Sequence, residues 1–242
     1  MQGRINELTH TRYTADNRLS GLFPGGRNKA VTLSYDDGTI HDRQLVSILN
    51  TYSIRGTFHL NSGKLGMHGY VRPDEIRSLY KGHEIASHTA THPNLCEFDE
   101  SMIIREVGED VEKLSELAGY PVQGFSYPFG AYNDYVAETL AKTGIVYART
   151  VMSTFDFTLP GDFLLWHPTC HHEDNLAALA RTFMERDIPC DTLAVLYVWG
   201  HSYEFHDRDN WDIMENFCRE ISRDSSVWPA TGIEIYDHVT AR

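Results

Sequence analysis

The chain has 242 residues, enough to bury one sizeable core, and its 41% hydrophobic and 23% charged content is ordinary for a globular protein. No apolar stretch approaches the roughly 18 residues that a membrane-spanning helix needs, so we do not expect a membrane protein. The formal net charge of -13 disfavours nucleic acid and anionic lipid as partners, because the long-range field repels polyanions.

Short apolar runs alternate with amphipathic segments along the chain, with no repeat or obvious linker. Seven runs are typical of strands, at 30–34, 56–60, 84–87, 124–127, 146–151, 164–167 and 193–199. Six segments are typical of helices, at 41–52, 73–81, 99–118, 133–142, 173–186 and 209–225. Alternation of this kind predicts parallel strands joined by crossovers. Because no GxGxxG or Walker A loop supports a nucleotide-binding open sheet, the predicted fold is α/β, a single-domain TIM-like barrel.

The first 28 residues contain no continuous apolar region of the kind found in secretory signals, so we expect a cytoplasmic location. Residues 1–28 are interpreted as an N-terminal extension packed on the barrel, and residues 29–242 as the barrel itself. The four cysteines are widely spaced with no CxxC pair, which favours free thiols over a disulfide framework or a zinc ribbon.

In a barrel of parallel strands, the residues just beyond each strand's C-terminal end share one face, where chemistry is expected. The first strand ends in SYDDG, residues 34–38, which places Asp36 and Asp37 side by side. Adjacent side chains in a strand point to opposite faces, so both can serve one site only where the pleat ends. Gly38 permits that turn, although Asp-Gly is also a common turn dipeptide without any further role.

A second strand end carries HTATH, residues 88–92, with His88 and His92 at positions i and i+4. This spacing can direct two imidazoles to one metal ion. With 13 histidines in the chain, chance alone gives about 0.7 such pairs, so the spacing is weak evidence by itself. Together with Asp37, the pair forms a set of two imidazoles and one carboxylate, which leaves positions open for water as in a catalytic metal site.

An alternative metal cluster lies in WHPTCHHED, where Cys170, His171 and His172 are all capable ligands. Most clustered histidines are surface or core residues, so this segment is the weaker candidate of the two.

Two further strand ends carry GFSYPFG, residues 124–130, and a GH pair that ends in His201. Taken in chain order, SYDDG, HTATH, SYPFG and the strand ending in GH resemble the polysaccharide deacetylase family, carbohydrate esterase family four. The resemblance spans about residues 30–205, and IEIYDHV in the tail resembles the final strand and helix start of the same domain. It implies a distorted (β/α)7 barrel, a divalent metal that is usually zinc, and hydrolysis of an acetyl group from a sugar. Tyr35 stands where the family usually has Phe.

By this resemblance, Asp37, His88 and His92 are the metal ligands and Asp36 is the general base. A cation would then relieve the repulsion between the paired carboxylates by binding one of them. The other carboxylate stays available to take a proton from water.

The resemblance also implies two groups that act on the acetyl oxygen and on the leaving group. The backbone N–H of Phe129 would stabilise the oxyanion, and His201 would donate a proton to the departing amine or alkoxide. Such a histidine needs a nearby carboxylate, for which Asp156 is a candidate.

One position departs from the family pattern. The third motif usually begins with an arginine that orients the base, and here Ser126 occupies that position. Arg149, in the next strand, is the nearest replacement in barrel order, and we predict that its guanidinium forks onto Asp36. An ordinary surface salt bridge is an equally good interpretation of Arg149.

Aromatic residues near the strand ends have two interpretations. Trp166, Trp199 and Phe129 could form an apolar wall for an acetyl methyl or a sugar face, although such residues are more often core. His59 could point into the barrel mouth, and no role is assigned to it.

The sequence therefore predicts a metal-dependent hydrolase that removes acetyl groups from an N- or O-acetylated carbohydrate. Zinc is the expected cation, while cobalt, nickel and manganese also suit two imidazoles and a carboxylate. The alternative is a hydrolase of a small amide or cyclic ureide on the same fold. A non-catalytic carbohydrate-binding protein is disfavoured, because ligands, base and acid are all present. The sequence does not define the sugar or the oligomeric state.

Overall fold

The structure is a computed structural model that describes residues 21–241. It consists of a curled sheet of parallel strands surrounded by helices. The strands are β1 (Lys29–Asp37), β2 (Thr57–Leu60), β3 (Glu84–Ser87), β4 (Gly124–Ser126), β5 (Tyr147–Arg149), β6 (Cys170–His171), β7 (Ala194–His201) and β8 (Val227–Pro229). The helices are α1 (Asp42–Thr51), α2 (Ile76–Leu79), α3 (Glu100–Ala118), α4 (Asp134–Leu140), α5 (Leu176–Glu185), α6 (Ser202–Asp207), α7 (Asp212–Ile221) and α8 (Gly232–Thr240).

Strand β1 lies at the centre of the sheet, whose order is β5-β4-β3-β2-β1-β7-β6. Its sequence is almost continuously apolar until the two aspartates, and every residue before Asp37 is buried, as expected for a parallel strand covered on both faces. One edge pairs with β7 from Lys29 to Asp36, while the other pairs with β8 at its start and with β2 at its end. The carboxyl ends of β1, β2 and β7 therefore meet at one rim.

The predicted single-domain (β/α)7 barrel is confirmed in the form of a curled parallel half-barrel of seven strands. The strand predicted at 164–167 is wrong. Trp166 makes one parallel bridge to Arg149, whereas the ladder with β7 begins at β6. Pro168 separates the two because it has no N–H to continue a ladder, so the chain bends between two short pairings.

In the tail, the expected helix start is confirmed and the expected strand is wrong. IEIYDHV belongs to helix α8, and the last strand is β8, which precedes it. The Thr231 side chain accepts a hydrogen bond from the Glu234 N–H, and Glu234 reaches back to the Thr231 N–H, which completes a capping box. Ile235 and Val239 are buried four residues apart, so the apolar period is that of a helix.

The extension predicted for residues 1–28 lies outside the described residues up to residue 20, and its division from the barrel stays a prediction. Within the described part, Phe23 is buried and its ring lies 5.3 Å from those of Trp228 and His238. All four cysteines are free thiols. Across residues 21–241, none of the helices combines the length and the apolarity that crossing a membrane requires.

A hydrogen-bonded carboxylate fastens the end of the barrel opposite the aspartates. Glu84, at the start of β3, accepts hydrogen bonds from the Tyr147 hydroxyl (2.7 Å), the Thr57 hydroxyl (2.8 Å) and the Ile233 N–H (3.0 Å). It thereby ties β3 to β2, β5 and the first turn of α8. The Tyr147 hydroxyl fits there because Gly124 presents no side chain.

We expect Gly124→Ala to destabilise the protein by about 1–3 kcal/mol, because an added Cβ would lie 2.4 Å from the Tyr147 hydroxyl and 2.8 Å from a Glu84 oxygen. Gly108→Ala is the matched control: this helical glycine has no atom within 4 Å of the added Cβ, and alanine there should stabilise by about 0.5–1 kcal/mol. Urea unfolding of both variants measures the difference. Equal midpoints for the two variants would contradict the crowding described here.

Candidate active site

Asp36 is the buried carboxylate of the pair. It belongs to β1, is 2% exposed, and has two hydrogen-bond donors from other strands. The Ser126 hydroxyl donates to Oδ1 at 3.0 Å, and Arg149 Nη2 donates to Oδ2. Because β5 lies four strands away from β1 in the sheet order, the bond from Arg149 crosses the interior of the curled sheet.

The Arg149 guanidinium is buried at 0% exposure and all three of its nitrogens are engaged. Besides Asp36, it donates from Nε to the Ser34 hydroxyl (2.9 Å) and from Nη1 to the Thr150 carbonyl (3.0 Å), and Trp199 covers it at 4.7 Å. A single nitrogen therefore reaches Asp36, and the predicted two-point fork is wrong, because Ser34 and Thr150 occupy the other nitrogens. The interpretation as a surface salt bridge is also wrong.

Arg149 and Ser126 are partners in the register between β4 and β5. The family resemblance predicts an arginine at position 126 in β4. Here the arginine lies at the paired position of the neighbouring strand, β5. Ser126 remains useful in that place, since its hydroxyl touches Asp36 from the strand in between.

The charge of Asp36 is favoured by its surroundings. Burial alone would raise its pKa, but the guanidinium of Arg149 and the nearby imidazoles outweigh burial and hold the pKa of Asp36 well below its usual range. The carboxylate is therefore a buried anion at neutral pH.

Asp37 points to a different part of the rim because β1 ends in a left-handed turn, with φ of 80° at Asp37 and 67° at Gly38. Its carboxylate, His88 and His92 each offer one ligand atom, and these three atoms lie within 4.8 Å of one another. His92 Nε2 is 3.9 Å from Asp37 Oδ1. The structure thus brings together the three predicted metal ligands, which reach the rim from the ends of two different strands.

The two imidazoles are suited to hold a cation. His88 Nδ1 donates to the Ser126 carbonyl (2.8 Å), which leaves Nε2 as the nitrogen with a free lone pair. Burial lowers the pKa of His88, and burial followed by the neighbouring His88 lowers the pKa of His92 to about 4. Neutral imidazoles beside a carboxylate are the donor set that zinc and related divalent ions bind, so the residues fit a catalytic metal.

His201 faces the same opening from the end of β7. Its Nε2 lies 4.0 Å from Asp37 Oδ2, and its Nδ1 lies 3.3 Å from Oε2 of Glu204. Burial lowers the pKa of His201, but Glu204 and the two aspartates outweigh it, so the net pKa is raised above the ordinary value. The residue is thus held close to a carboxylate, as a proton donor requires.

The neighbour of His201 is Glu204 and not Asp156, so that suggestion is wrong. Asp156 is exposed and its Oδ1 accepts the N–H of Phe157 at 2.7 Å. Glu204 is placed by the start of α6, where its carboxylate accepts the His201 N–H (3.0 Å) as the third residue of a capping box. The spacing HSYE at a strand-to-helix junction could have indicated this partner.

The alternative cluster is divided by the structure. His171 Nε2 lies 3.1 Å from Glu204 Oε2 and shares that carboxylate with His201, while His172 is buried against Phe205 with Nε2 at 3.5 Å from the same oxygen. Cys170 belongs to the apolar core, and burial raises the pKa of its thiol to about 12. The three consecutive residues therefore do not form one ligand set, although His171, His201 and Glu204 converge at the edge of the site.

The aromatic residues take three different places. Phe129 is 68% exposed and its ring lies 4.5 Å from that of His92, at the opening of the site. Trp166 is buried in the core, and Trp199 covers Arg149, so the predicted wall reduces to Phe129. His59 is buried beneath the rim, where its Nε2 accepts from or donates to the Ser34 hydroxyl at 2.8 Å.

The fold and the site together define a class of protein: a parallel half-barrel that carries two adjacent carboxylates and a pair of imidazoles at its rim. Residues 24–148, more than half of the chain, match the family model described as polysaccharide deacetylase. The chain belongs to the polysaccharide deacetylase family, as the sequence motifs predicted.

Curated relatives cover part of the chain. The peptidoglycan-N-acetylglucosamine deacetylase of Bacillus cereus is 25% identical over 61% of this chain and 59% of its own length. The chitooligosaccharide deacetylase of Sinorhizobium fredii is 27% identical over 54% of this chain and 61% of its own length. The chain thus spans about six tenths of the length of each relative.

Solved structures share the fold. A Mycobacterium smegmatis protein assigned to the polysaccharide deacetylases superimposes with a TM-score of 0.68 at 22% identity, over 92% of this chain and 95% of that protein. A family 4 carbohydrate esterase of Streptomyces lividans, in complex with acetate, gives a TM-score of 0.57 at 15% identity, over 84% and 93% of the two chains. At these identities the likeness establishes the common barrel.

We expect Arg149→Met to destabilise the metal-free protein by about 3–5 kcal/mol at neutral pH, because it leaves the buried Asp36 carboxylate without its cation. Asp36→Asn alone leaves the arginine uncompensated, so the double variant should cost clearly less than the sum of the two. Denaturant unfolding of the four proteins gives the coupling free energy. Arg43→Met is the control, since its pair with Glu75 lies at the surface, with the Arg43 side chain about half exposed, and should contribute less than about 1 kcal/mol. Additive losses at Asp36 and Arg149 would contradict the pairing.

Proposed function

We propose that this protein is a metal-dependent hydrolase that removes acetyl groups from an acetylated carbohydrate. The observation that carries the proposal is the pairing of adjacent aspartates in different environments. Asp36 is a buried anion held by Arg149 and Ser126, and Asp37 lies with His88 and His92 as a candidate ligand set. Membership of the polysaccharide deacetylase family supports this assignment of the reaction.

Asp37, His88 and His92 would hold the cation, most simply zinc. When bound, it supplies Lewis-acid charge that acidifies water and polarises an acetyl carbonyl. The Ser126 carbonyl fixes His88 with Nε2 directed away from β4, which orients one ligand before any ion arrives.

Asp36 acts as the general base and takes a proton from the attacking water. Arg149 orients it through Oδ2 and Ser126 through Oδ1, and each oxygen keeps a further lone pair that can accept the proton. His201 acts as the general acid and delivers a proton from Nε2 to the departing amine or alkoxide, with Glu204 behind Nδ1. Base and acid thus approach the acetyl group from β1 and β7, two neighbouring strands.

The backbone N–H of Phe129 is proposed to stabilise the oxyanion. Phe129 follows Pro128 in a tight turn and adopts a left-handed φ of 59°, with its ring against His92. The ring contact with His92 supports a role for this peptide next to the proposed ligand set, where negative charge would develop on the acetyl oxygen.

The proposed substrate is an N-acetylated saccharide. The printed names of the relatives refer to peptidoglycan N-acetylglucosamine and to chitooligosaccharide, so N-acetylated oligosaccharides are the first substrates to assay. O-acetylated sugars and small amides should be assayed for hydrolysis alongside them. The cytoplasmic location expected from the sequence stays a prediction.

We expect Asp36→Asn to lower acetate release from N-acetylated chitooligosaccharides by about 10²–10⁴-fold, because the amide cannot take a proton. Zinc content, measured by elemental analysis, should stay near that of the wild type, since Asp36 is outside the proposed ligand set. Arg149→Met should show the same pattern of retained metal and lost turnover.

Chelation supplies the control for this experiment. EDTA should abolish acetate release by the wild type, and added Zn²⁺ should restore it. A wild type that binds these oligosaccharides without releasing acetate would refute the hydrolase proposal. Full activity in the presence of chelator would refute the metal dependence.

We expect Glu204→Gln to lower kcat about tenfold or more while KM changes less than about twofold, because the amide carries no negative charge to favour the protonated imidazole of His201, whose Nδ1 lies 3.3 Å from Oε2. Steady-state kinetics on the same oligosaccharides measure both constants. Asp156→Asn is the matched control and should leave both unchanged, since that carboxylate is exposed and has its own partners. Equal losses in the two variants would remove Glu204 from the mechanism.

A further inference from the structure

The loop that carries two of the candidate ligands is strained. The His loop, residues 88–92, contains two residues in left-handed conformations that are not glycine, Thr89 with φ of 67° and His92 with φ of 65°. Each such residue costs on the order of 1 kcal/mol and persists only where surrounding contacts hold it. These contacts therefore decide whether His88 and His92 converge.

One set of contacts comes from the turn after β2. Asn61 is buried, and its Nδ2 donates to the carbonyls of His88 (2.6 Å) and Thr89 (2.9 Å). Two residues later, the Gly63 N–H donates to the Ala90 carbonyl at 2.9 Å. An added Cβ on Gly63 would lie 2.7 Å from that carbonyl oxygen, so the turn and the His loop are in direct backbone contact.

The second set of contacts comes from the middle of α3. Asp110 is 0% exposed, and its Oδ2 accepts the Ser87 hydroxyl at 2.5 Å while Oδ1 accepts the Ser62 N–H at 2.7 Å. Ser87 is the last residue before the His loop, and Ser62 lies in the turn that Asn61 begins. One carboxylate thus fastens both the start of the loop and the turn that supports it.

Asp110 has no counter-charge: among residues 21–241, no lysine or arginine forms an ion pair with it. A buried carboxylate without a cation is costly, and here its compensation consists of hydrogen bonds that end at the His loop and its supporting turn. Packing of α3 alone does not require it, since an apolar residue could fill the same position of an otherwise amphipathic helix.

We propose that Asp110 and Asn61 are positioning residues for the metal ligands His88 and His92. They hold the strained loop in the conformation that binds a cation, so their loss should weaken metal binding beyond any loss of fold stability. This inference rests on the proposed metal dependence and names the residues, remote from the ion, that preorganise its site.

The test compares two buried carboxylates at opposite ends of β3: Asp110, which is hydrogen-bonded to its last residue, and Glu84, which is its first residue. Asp110→Asn changes the one behind the His loop, which accepts hydrogen bonds from one hydroxyl and one backbone N–H. Glu84→Gln changes the one at the opposite end, which accepts hydrogen bonds from two hydroxyls and one backbone N–H. Both substitutions are isosteric and neutralise a buried acid. Titration with Zn²⁺ alone against a chromophoric chelator of known affinity gives the dissociation constant of each folded variant.

We expect Asp110→Asn to weaken Zn²⁺ binding at least about tenfold, and Glu84→Gln by less than about threefold even where it lowers the unfolding midpoint equally. Asn61→Asp, which turns the amide donor into an acceptor facing two carbonyls, should also weaken binding at least about tenfold. If Asp110→Asn does not fold, the Zn²⁺ affinity of Asn61→Asp tests the proposal instead.

Equal Zn²⁺ affinity for Asp110→Asn and the wild type would overturn the proposal, and so would an equal loss in Glu84→Gln. A wild type that takes up no Zn²⁺ overturns it together with the metal dependence. Acetate release is scored separately, so failure of the deacetylase assignment with Zn²⁺ affinities as expected leaves the positioning role standing.

Discussion

The ion pair between Asp36 and Arg149 is the constraint on which the rest of the site depends. A buried carboxylate next to a second carboxylate is unfavourable unless charge of the opposite sign compensates it. Arg149 does so across the interior from β5, so one bond both joins distant strands of the half-barrel and keeps Asp36 anionic. Asp37 is then free to turn toward the imidazoles, and the two carboxylates have different surroundings.

Strain and its compensation are placed in different parts of the site. The residues that face the opening, among them Asp37, His92 and Phe129, adopt left-handed conformations that side chains disfavour. The groups that hold the His loop and Asp36 are buried behind the rim in α3, in the turn after β2 and in β4. This division lets the rim stay open for a substrate while its geometry is set by a rigid, hydrogen-bonded layer.

Most of the fold and the location of the candidate ligands could be predicted from the sequence, because buried parallel strands and their polar ends leave a local pattern. SYDDG and HTATH each follow an apolar run, so Asp37, His88 and His92 could be placed on one rim. Contacts that depend on tertiary geometry could not be foreseen in detail. The single-nitrogen bond of Arg149 depends on where Ser34 and Thr150 lie, and the partner of His201 depends on α6 starting directly after β7.

The same limit explains the two misassigned segments. The run at 164–167 is apolar enough for a strand, but Pro168 and the bridge to Arg149 restrict it to one paired residue. In the tail, isoleucines two residues apart suggest a strand, whereas the capping box at Thr231 and the buried pair Ile235 and Val239 produce a helix. Short apolar runs are ambiguous by period alone.

The lateral pairing of Ser126 with Arg149 bears on how sequences of this kind are compared. A guanidinium can be supplied by either of two adjoining strands when both offer a residue at equal height. Aligning chains column by column would count Ser126 only as a missing arginine. Inspecting the residue paired with that position on the neighbouring strand shows whether the guanidinium is absent or supplied from one strand to the side.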